Sequence, residues 1–209
     1  MKPRYIVVEG PIASGKTSLA DKLAQKIGGT TLLDDPKANP FLAQFYRDMR
    51  RYALPTQLFF LFQRVGQIEA LKQPDLFAKP TVADFTLARD PLFARMTLDD
   101  AEYQLYRRIY DHMKPQAPVP DLVIYLQASV DTHVARVKKR GNPIESGIDE
   151  GYLQRLSEAY ARYFYNYADS PLLIVNSERL NFVDLPEHLD LLIERVEGLR
   201  GGREFFNRA

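Results

Sequence analysis

The chain has 209 residues, 45% hydrophobic and 26% charged, which suits a globular domain and excludes a disordered or fibrous one. Lysine and arginine total 28 against 27 for aspartate and glutamate, so no strong positive field marks a nucleic-acid partner. The absence of cysteine excludes a disulfide scaffold, a thiolate nucleophile and thiolate-bound zinc.

Tyr5-Ile6-Val7-Val8 is a short apolar run that reads as a strand buried on both faces. These are the only residues between Arg4 and Glu9, too few for a signal-peptide core. No run reaches the ~18 apolar residues of a membrane span, so a soluble cytoplasmic protein without a membrane partner is expected. Gly10-Pro11-Ile12-Ala13-Ser14-Gly15-Lys16-Thr17 then matches G-x-x-x-x-G-K-[ST], a phosphate-binding loop. Glycines let backbone N–H groups turn inward around a phosphate, and the following helix points its positive end there. Gly10, Ala13, Ser14, Gly15, Lys16, Thr17 and Ser18 are thus the expected phosphate contacts, with Lys16 reaching the β- and γ-phosphates and Thr17 ligating Mg²⁺. Leu19, Leu23 and Ile27 recur at helical spacing until Gly28-Gly29 stops that helix.

A second strand, Thr30–Leu33, ends in Asp34-Asp35-Pro36, and a short helix is expected over Asn39–Asp48. A long helix follows from about Pro55 to Lys72, with proline in its first turn and Leu58, Leu61, Phe62, Val65, Ile68 and Leu71 on its apolar side. Pro80–Asp84 reads as the third strand, Leu98–Met113 as a helix, and Asp121–Leu126 as the fourth strand. The helix Val130–Lys139 turns basic towards its end. Gly141, Pro143 and Gly147 then break the segment Arg140–Asp149, and helix resumes from Glu150 to about Tyr167. Leu172–Asn176 is the fifth strand and Leu185–Leu199 a closing helix. The tail 201–209 is expected to be loose, although Phe205 and Phe206 are able to dock. The alternation predicts one α/β domain over residues 1–200, with a five-stranded parallel sheet flanked by helices and a basic lid near 136–149. Such sheets bind ligands beyond the carboxyl ends of their strands.

A phosphate loop alone admits GTPases, motor-like ATPases and small-molecule kinases. No guanine-selecting N-K-x-D is present and the chain is short for a motor, which leaves a kinase. Asp34 and Asp35 follow the second strand, where a carboxylate would accept a proton from an attacking hydroxyl or orient it. Asp84 closes the third strand, where a carboxylate would hold Mg²⁺ directly or through water. Arg136, Lys138, Lys139 and Arg140 precede the glycine-containing break, as in a cationic lid able to neutralise a transferring phosphoryl group. His112, His133 and His188 lack metal-ligand spacing and receive no role.

Taken together the chain resembles the deoxyribonucleoside kinases of the bacterial deoxyadenosine/deoxyguanosine/deoxycytidine type, from the loop through about Phe182. Besides the loop, the resemblance rests on Asn39-Pro40-Phe41-Leu42 with Phe45-Tyr46, and on Gln57 followed seven residues later by Arg64. Pro120 leading into Asp121–Leu126, and Arg136-x-x-x-Arg140-Gly141 with Glu145, Gly147, Ile148 and Tyr152-Leu153, complete it. The resemblance implies a P-loop kinase fold and ATP- and Mg²⁺-dependent phosphorylation of the 5′-hydroxyl of a deoxyribonucleoside, in a homodimer serving nucleotide salvage. It implies base contacts from Gln57, Arg64 and Asp90, sugar 3′-hydroxyl contacts from Tyr46 and Glu145, and a phosphate clamp from Arg136 and Arg140. Asn181 and Phe182 would surround the adenine of ATP, and Asp84 the metal.

This chain departs from that pattern. The family has Glu as the base after the second strand, whereas here Asp34 matches by counting back from Asn39 and Tyr46, and Asp35 by its following proline. Asp is shorter by roughly 1.5 Å, and misplacement by ~1 Å can cost ~100-fold. The family also follows the third-strand carboxylate with Arg and Ser, but Asp84 is followed by Phe85 and Thr86, leaving Arg89 or a lid arginine to substitute. Asn142 stands where a further lid arginine often occurs. The rival readings are a monophosphate kinase of thymidylate-kinase type and a nucleotide-binding regulatory protein with weakened catalysis.

Overall fold

The computed structural model describes residues 3–71, 79–113, 117–182, 185–199 and 201–207. The expected helix end at Lys72 and the side chain of Leu71 lie outside the described residues. At the centre stands β1 (Tyr5–Glu9), buried along its whole length. Its side chains alternate between two cores. Ile6 and Val8 pack with Leu19 and Leu23 of α1 (Lys16–Ile27), while Tyr5 and Val7 pack with the other face. A strand covered by helices on both faces has no polar side, which is why its sequence reads as a continuous apolar run.

The sheet has six parallel strands in the order β2-β3-β1-β4-β5-β6, namely Thr30–Leu32, Thr81–Ala83, β1, Leu122–Gln127, Leu172–Asn176 and Arg203–Phe206. The chain leaves β1 towards the β2 edge and leaves β3 towards the β4 side, so a crevice opens beyond the carboxyl ends of β1 and β3. One face is covered by α1 and α8 (Pro186–Glu197), the other by α7 (Glu150–Tyr165) and α4 (Asp90–Thr97). A second core lies between α2 (Leu42–Arg47), α3 (Met49–Leu71), α4 and α5 (Asp100–Met113). The basic helix α6 (Val130–Arg140) ends at Gly141, and Pro143–Glu145 forms a short 3-10 turn. No helix among the described residues is long and apolar enough to cross a membrane.

Three expectations need correction. The tail is not loose: β6 extends the expected five strands to six by pairing with β5 from Leu172↔Arg203 to Val175↔Phe206. Phe206 packs onto the core under α8, Phe205 stays exposed, and Arg195 pairs with Glu204 at 2.5 Å. Two charged residues followed by two aromatic ones show no alternation that would announce a strand; the open edge of β5 supplies the template. The long helix starts at Met49 rather than Pro55, which sits inside it. The proline leaves the carbonyl of Arg51 without its helical partner, and Arg51 is exposed, so water can satisfy it. The helix expected from Leu98 begins at Asp100, with Asp99 accepting from the Glu102 amide at 2.9 Å, and α4 before it was not anticipated.

The core beneath α7 is aromatic. Phe164 stacks on Tyr125 with ring centroids 4.4 Å apart and also touches Tyr160, Tyr163 and Tyr167. Phe164→Ala removes the ring on which these contacts converge, so a loss of ~3–5 kcal/mol is expected in denaturant unfolding. A loss below ~1 kcal/mol would show that this aromatic layer is not a keystone of the fold.

Candidate active site

The phosphate loop occupies the crevice beyond β1. Ala13 (φ 63°) and Gly15 (φ 95°) both adopt left-handed conformations, which turn successive amides inward, and Gly15 caps α1. Only glycine takes that conformation without strain; Ala13 is held in it by its surroundings. Lys16 folds back towards the carbonyl of Pro11 at 3.5 Å, and burial and Arg89 lower the pKa of its ammonium against the opposing pull of Asp84, Glu9 and Asp34. Thr17 Oγ1 donates to Asp84 Oδ2 at 2.5 Å. Arg136 braces the loop from α6, donating to the carbonyls of Ser14 (3.2 Å) and Ser177 (2.6 Å).

Two clefts flank this loop. One of about 450 Å³ is lined by Arg136, Lys139, Arg179, Asn181 and Phe182, and a smaller one of about 190 Å³ by Lys16, Thr17, Ser18, Arg136 and Arg140. His188 was given no role, yet its Nδ1 accepts from the Asn181 amide at 2.9 Å and so holds a wall of the larger cleft. On the other side of Lys16 lies a cavity of about 410 Å³, whose walls include Asp34, Tyr46, Arg64, Asp84, Arg89 and Glu145. The lid closes over it: Arg140 pairs with Glu145 at 3.3 Å, and Asn142 Oδ1 caps the 3-10 turn at the Ile144 amide. A Cβ on Gly147 would lie 2.7 Å from the Tyr46 carbonyl, so glycine there lets the lid seat on α2.

Asp34 sits at the wall shared with the loop. Its carboxylate receives Arg64 through Nε (2.9 Å) and Nη2 (2.6 Å), and Arg89 through Nη2 (2.9 Å). Its own amide donates to Asp84 Oδ1 at 2.8 Å, linking β2 to β3. Burial would raise the Asp34 pKa, but Arg64 and Arg89 together outweigh it and hold the carboxyl below its ordinary range. Asp35 points elsewhere. It is exposed, and its carboxylate accepts from the Lys37 amide at 3.1 Å as the cap of the Pro36–Ala38 turn.

Behind Asp34, Arg64 also pairs with Asp90, and its guanidinium lies over the rings of Phe60 and Phe85. Gln57 is buried deeper on the same helix. Its Nε2 donates to Thr97 Oγ1 at 3.3 Å, and it lies outside the walls of the 410 Å³ cavity. Sequence reasoning missed Glu9 and Tyr160. Glu9 is wholly buried and accepts from Arg89 at 3.0 Å, from the Thr86 amide at 2.8 Å and from Tyr160 at 3.3 Å. The available signal was a carboxylate ending an otherwise apolar strand.

The carboxylates Glu9, Asp34, Asp84 and Asp90 and the cations Lys16, Arg64 and Arg89 thus gather at this end of the sheet. Asp90 lies deepest behind Arg64. Burial, aided by Asp34, pushes its carboxyl from the ordinary 3.8 up to about 6 despite Arg64 and Arg89, and among the described residues its Oδ2 has no hydrogen-bond partner.

Residues 6–199 match the deoxynucleoside kinase family, and the chain belongs to it. It is 35% identical over 159 residues to the deoxyguanosine kinase of Bacillus subtilis, covering 75% of this chain and 76% of that one. It is 32% identical to the deoxyadenosine kinase of Lactobacillus acidophilus, covering 94% and 97%. The deoxyadenosine kinase from M. mycoides with bound dCTP superposes with a TM-score of 0.79 at 25% identity, over 93% of this chain and all of that one. The chain is thus a P-loop enzyme that phosphorylates deoxynucleosides with a nucleotide-type donor.

Because folded Asp90 holds its proton more tightly than the unfolded chain does, it lowers stability as pH rises from about 4 to about 6. Asp90→Asn cannot lose a proton. Its melting temperature is expected to gain on that of the native protein across this window and then run parallel to it. A native advantage that grows across the window would mean that the Arg64 ion pair outweighs burial. Asp34 acts oppositely, but only below its ordinary value of 3.8.

Proposed function

We propose that the protein transfers the γ-phosphoryl group of ATP to the 5′-hydroxyl of a purine deoxyribonucleoside, with Asp34 as the group that receives the hydroxyl proton. The observation that carries this reading is the position of the Asp34 carboxylate, in a wall shared by the phosphate loop and the 410 Å³ cavity. A carboxylate held at low pKa is a weak base. That suits a loose phosphoryl-transfer transition state, in which orienting the hydroxyl matters more than early proton removal. Fixation by Arg64 and Arg89 also sets the oxygen position despite the shorter side chain, the geometric demand to which rate is most sensitive.

The remaining roles follow the cavity. Tyr46 and Glu145 would bind the sugar 3′-hydroxyl from α2 and the lid, and Arg64 the base; Gln57 and Asp90, which do not line the cavity, would reach the base from behind its wall, Asp90 through its pairing with Arg64. The deoxyguanosine and deoxyadenosine kinases among the relatives support a purine. Lys16, Arg136 and Arg140 would stabilise charge on the phosphoryl group, with Asn181 and Phe182 around the donor base. The residues fit Mg²⁺: Thr17 Oγ1 and Asp84 Oδ2 are hard oxygen donors 2.5 Å apart beside the loop. Bound there, the ion would offset phosphate charge. Exposed Phe62 on α3 and Leu105 on α5 favour a homodimer through these helices, and we assign the enzyme to cytoplasmic nucleotide salvage.

The test is ATP consumption against a panel of deoxynucleosides and nucleoside monophosphates. Purine deoxynucleosides should be consumed. Asp34→Asn should lower kcat ~10²–10⁴-fold with little change in KM, and Asp35→Asn should act like the native enzyme. Turnover of monophosphates alone would point to a thymidylate-kinase-like activity, and ATP binding without any transfer to a regulatory protein.

A further inference from the structure

The position after Asp84, where the resemblance expects an arginine, holds Phe85, which is fully buried beneath Arg64. An arginine still reaches the same cavity. Arg89 closes the Leu87–Arg89 turn, lies in the cavity wall and donates through Nη2 to Asp34 Oδ2 at 2.9 Å. What holds it there is unusual for a strand end. Nη1 donates to both Glu9 Oε2 (3.0 Å) and the Tyr160 hydroxyl (2.7 Å), and Tyr160 in turn donates to Glu9 Oε2. The guanidinium also lies over the Phe93 ring at 5.4 Å, and that ring packs edge-on against Tyr160.

We propose that Glu9 and Tyr160 are positioning residues that hold Arg89 as the charge-stabilising arginine of the phosphoryl-transfer step. The proposal rests on the kinase reading above. Glu9 is suited to this because it ties three parts of the site at one point. Besides Arg89, it accepts from the Gly10 amide at the start of the phosphate loop and, through Oε1, from the amide and hydroxyl of Thr86. Arg89 is thereby fixed relative to the donor loop as well as to Asp34, the alignment an in-line transfer requires. Among the described residues Nε of Arg89 has no hydrogen-bond partner, so its hydrogen bonds all run through its two terminal nitrogens.

Glu9 also divides the charge of Arg89. Asp34 faces Arg64 from α3, Arg89 from the turn and Lys16 from α1, with Asp84 on its own amide and Asp90 beyond Arg64. Without the Glu9 carboxylate, Arg89 would lose the partner that fixes the Nη1 end of its fork on the loop side of Asp34.

The test uses the full-length chain, steady-state kinetics with ATP and the best deoxynucleoside of the panel, and chemical rescue. Glu9→Gln is expected to lower kcat ~10²-fold and Tyr160→Phe, which keeps the ring packing, ~10-fold, both with nucleoside KM within ~3-fold of native. Guanidinium should restore activity to Arg89→Ala but not to Arg89→Ala combined with Glu9→Gln. Native kcat in folded Tyr160→Phe or Glu9→Gln, or equal rescue of the single and double variants, would each overturn the proposal. An inactive native protein would instead overturn the kinase reading on which it rests.

Discussion

The site depends on a buried chain of opposite charges that runs Asp90–Arg64–Asp34–Arg89–Glu9 across the carboxyl ends of the sheet. Taking so many charges out of water is costly, and buried ion pairs seldom repay their desolvation in stability. Replacing the set by apolar residues would make a plainer core. Retaining it serves another end: each guanidinium is a rigid fork, and two forks converging on Asp34 leave that carboxylate a single orientation. Precision at one oxygen is obtained by spreading constraint over α3, the turn after β3 and the end of β1.

The same chain joins the two halves of the site. The phosphate loop is local, built with the first turn of α1, with left-handed Ala13 and Gly15 aiming the amides. The 410 Å³ cavity beside it is assembled from distant segments: Asp34 after β2, Tyr46 on α2, Arg64 on α3 and Glu145 in the turn after α6. Glu9 stands between them because β1 is the strand from which the loop springs. Its burial follows from the same central position that makes the rest of β1 apolar. The lid needs no large element of its own; a 3-10 turn capped by Asn142 and a glycine tight against α2 are enough to bring Glu145 over the cavity.

Much of this was legible along the chain, for reasons that differ by element. The loop is a motif whose backbone conformation and chemistry are both local, so spacing alone revealed it. Strands β1, β4 and β5 were legible because burial on both faces leaves an apolar run. Strand β6 was not, since Arg203-Glu204-Phe205-Phe206 has no alternation and becomes a strand only because an open edge accepts it. Pro55 was misleading. It suggested a helix start, yet α3 begins at Met49 because packing on both sides of the proline outweighs one lost hydrogen bond. Asp34 and Asp35 show the limit most directly. The two are adjacent and chemically identical, and only the turn at Pro36–Ala38 sends one into the cavity and the other to cap a backbone amide.

By itself, then, the sequence determined the phosphate loop, the α/β alternation and the family to which the chain belongs, because each is written in contiguous residues or in their order. The tertiary structure decided which of two aspartates faces the loop, that Arg89 reaches Asp34 in the cavity wall, and that Glu9 and Tyr160 pair with its other end. Those are pairings between residues as far apart as Glu9 and Tyr160, and no local pattern encodes them. They exist because a parallel sheet gathers the carboxyl ends of its strands on one side, where charges from distant segments must find one another once water is gone.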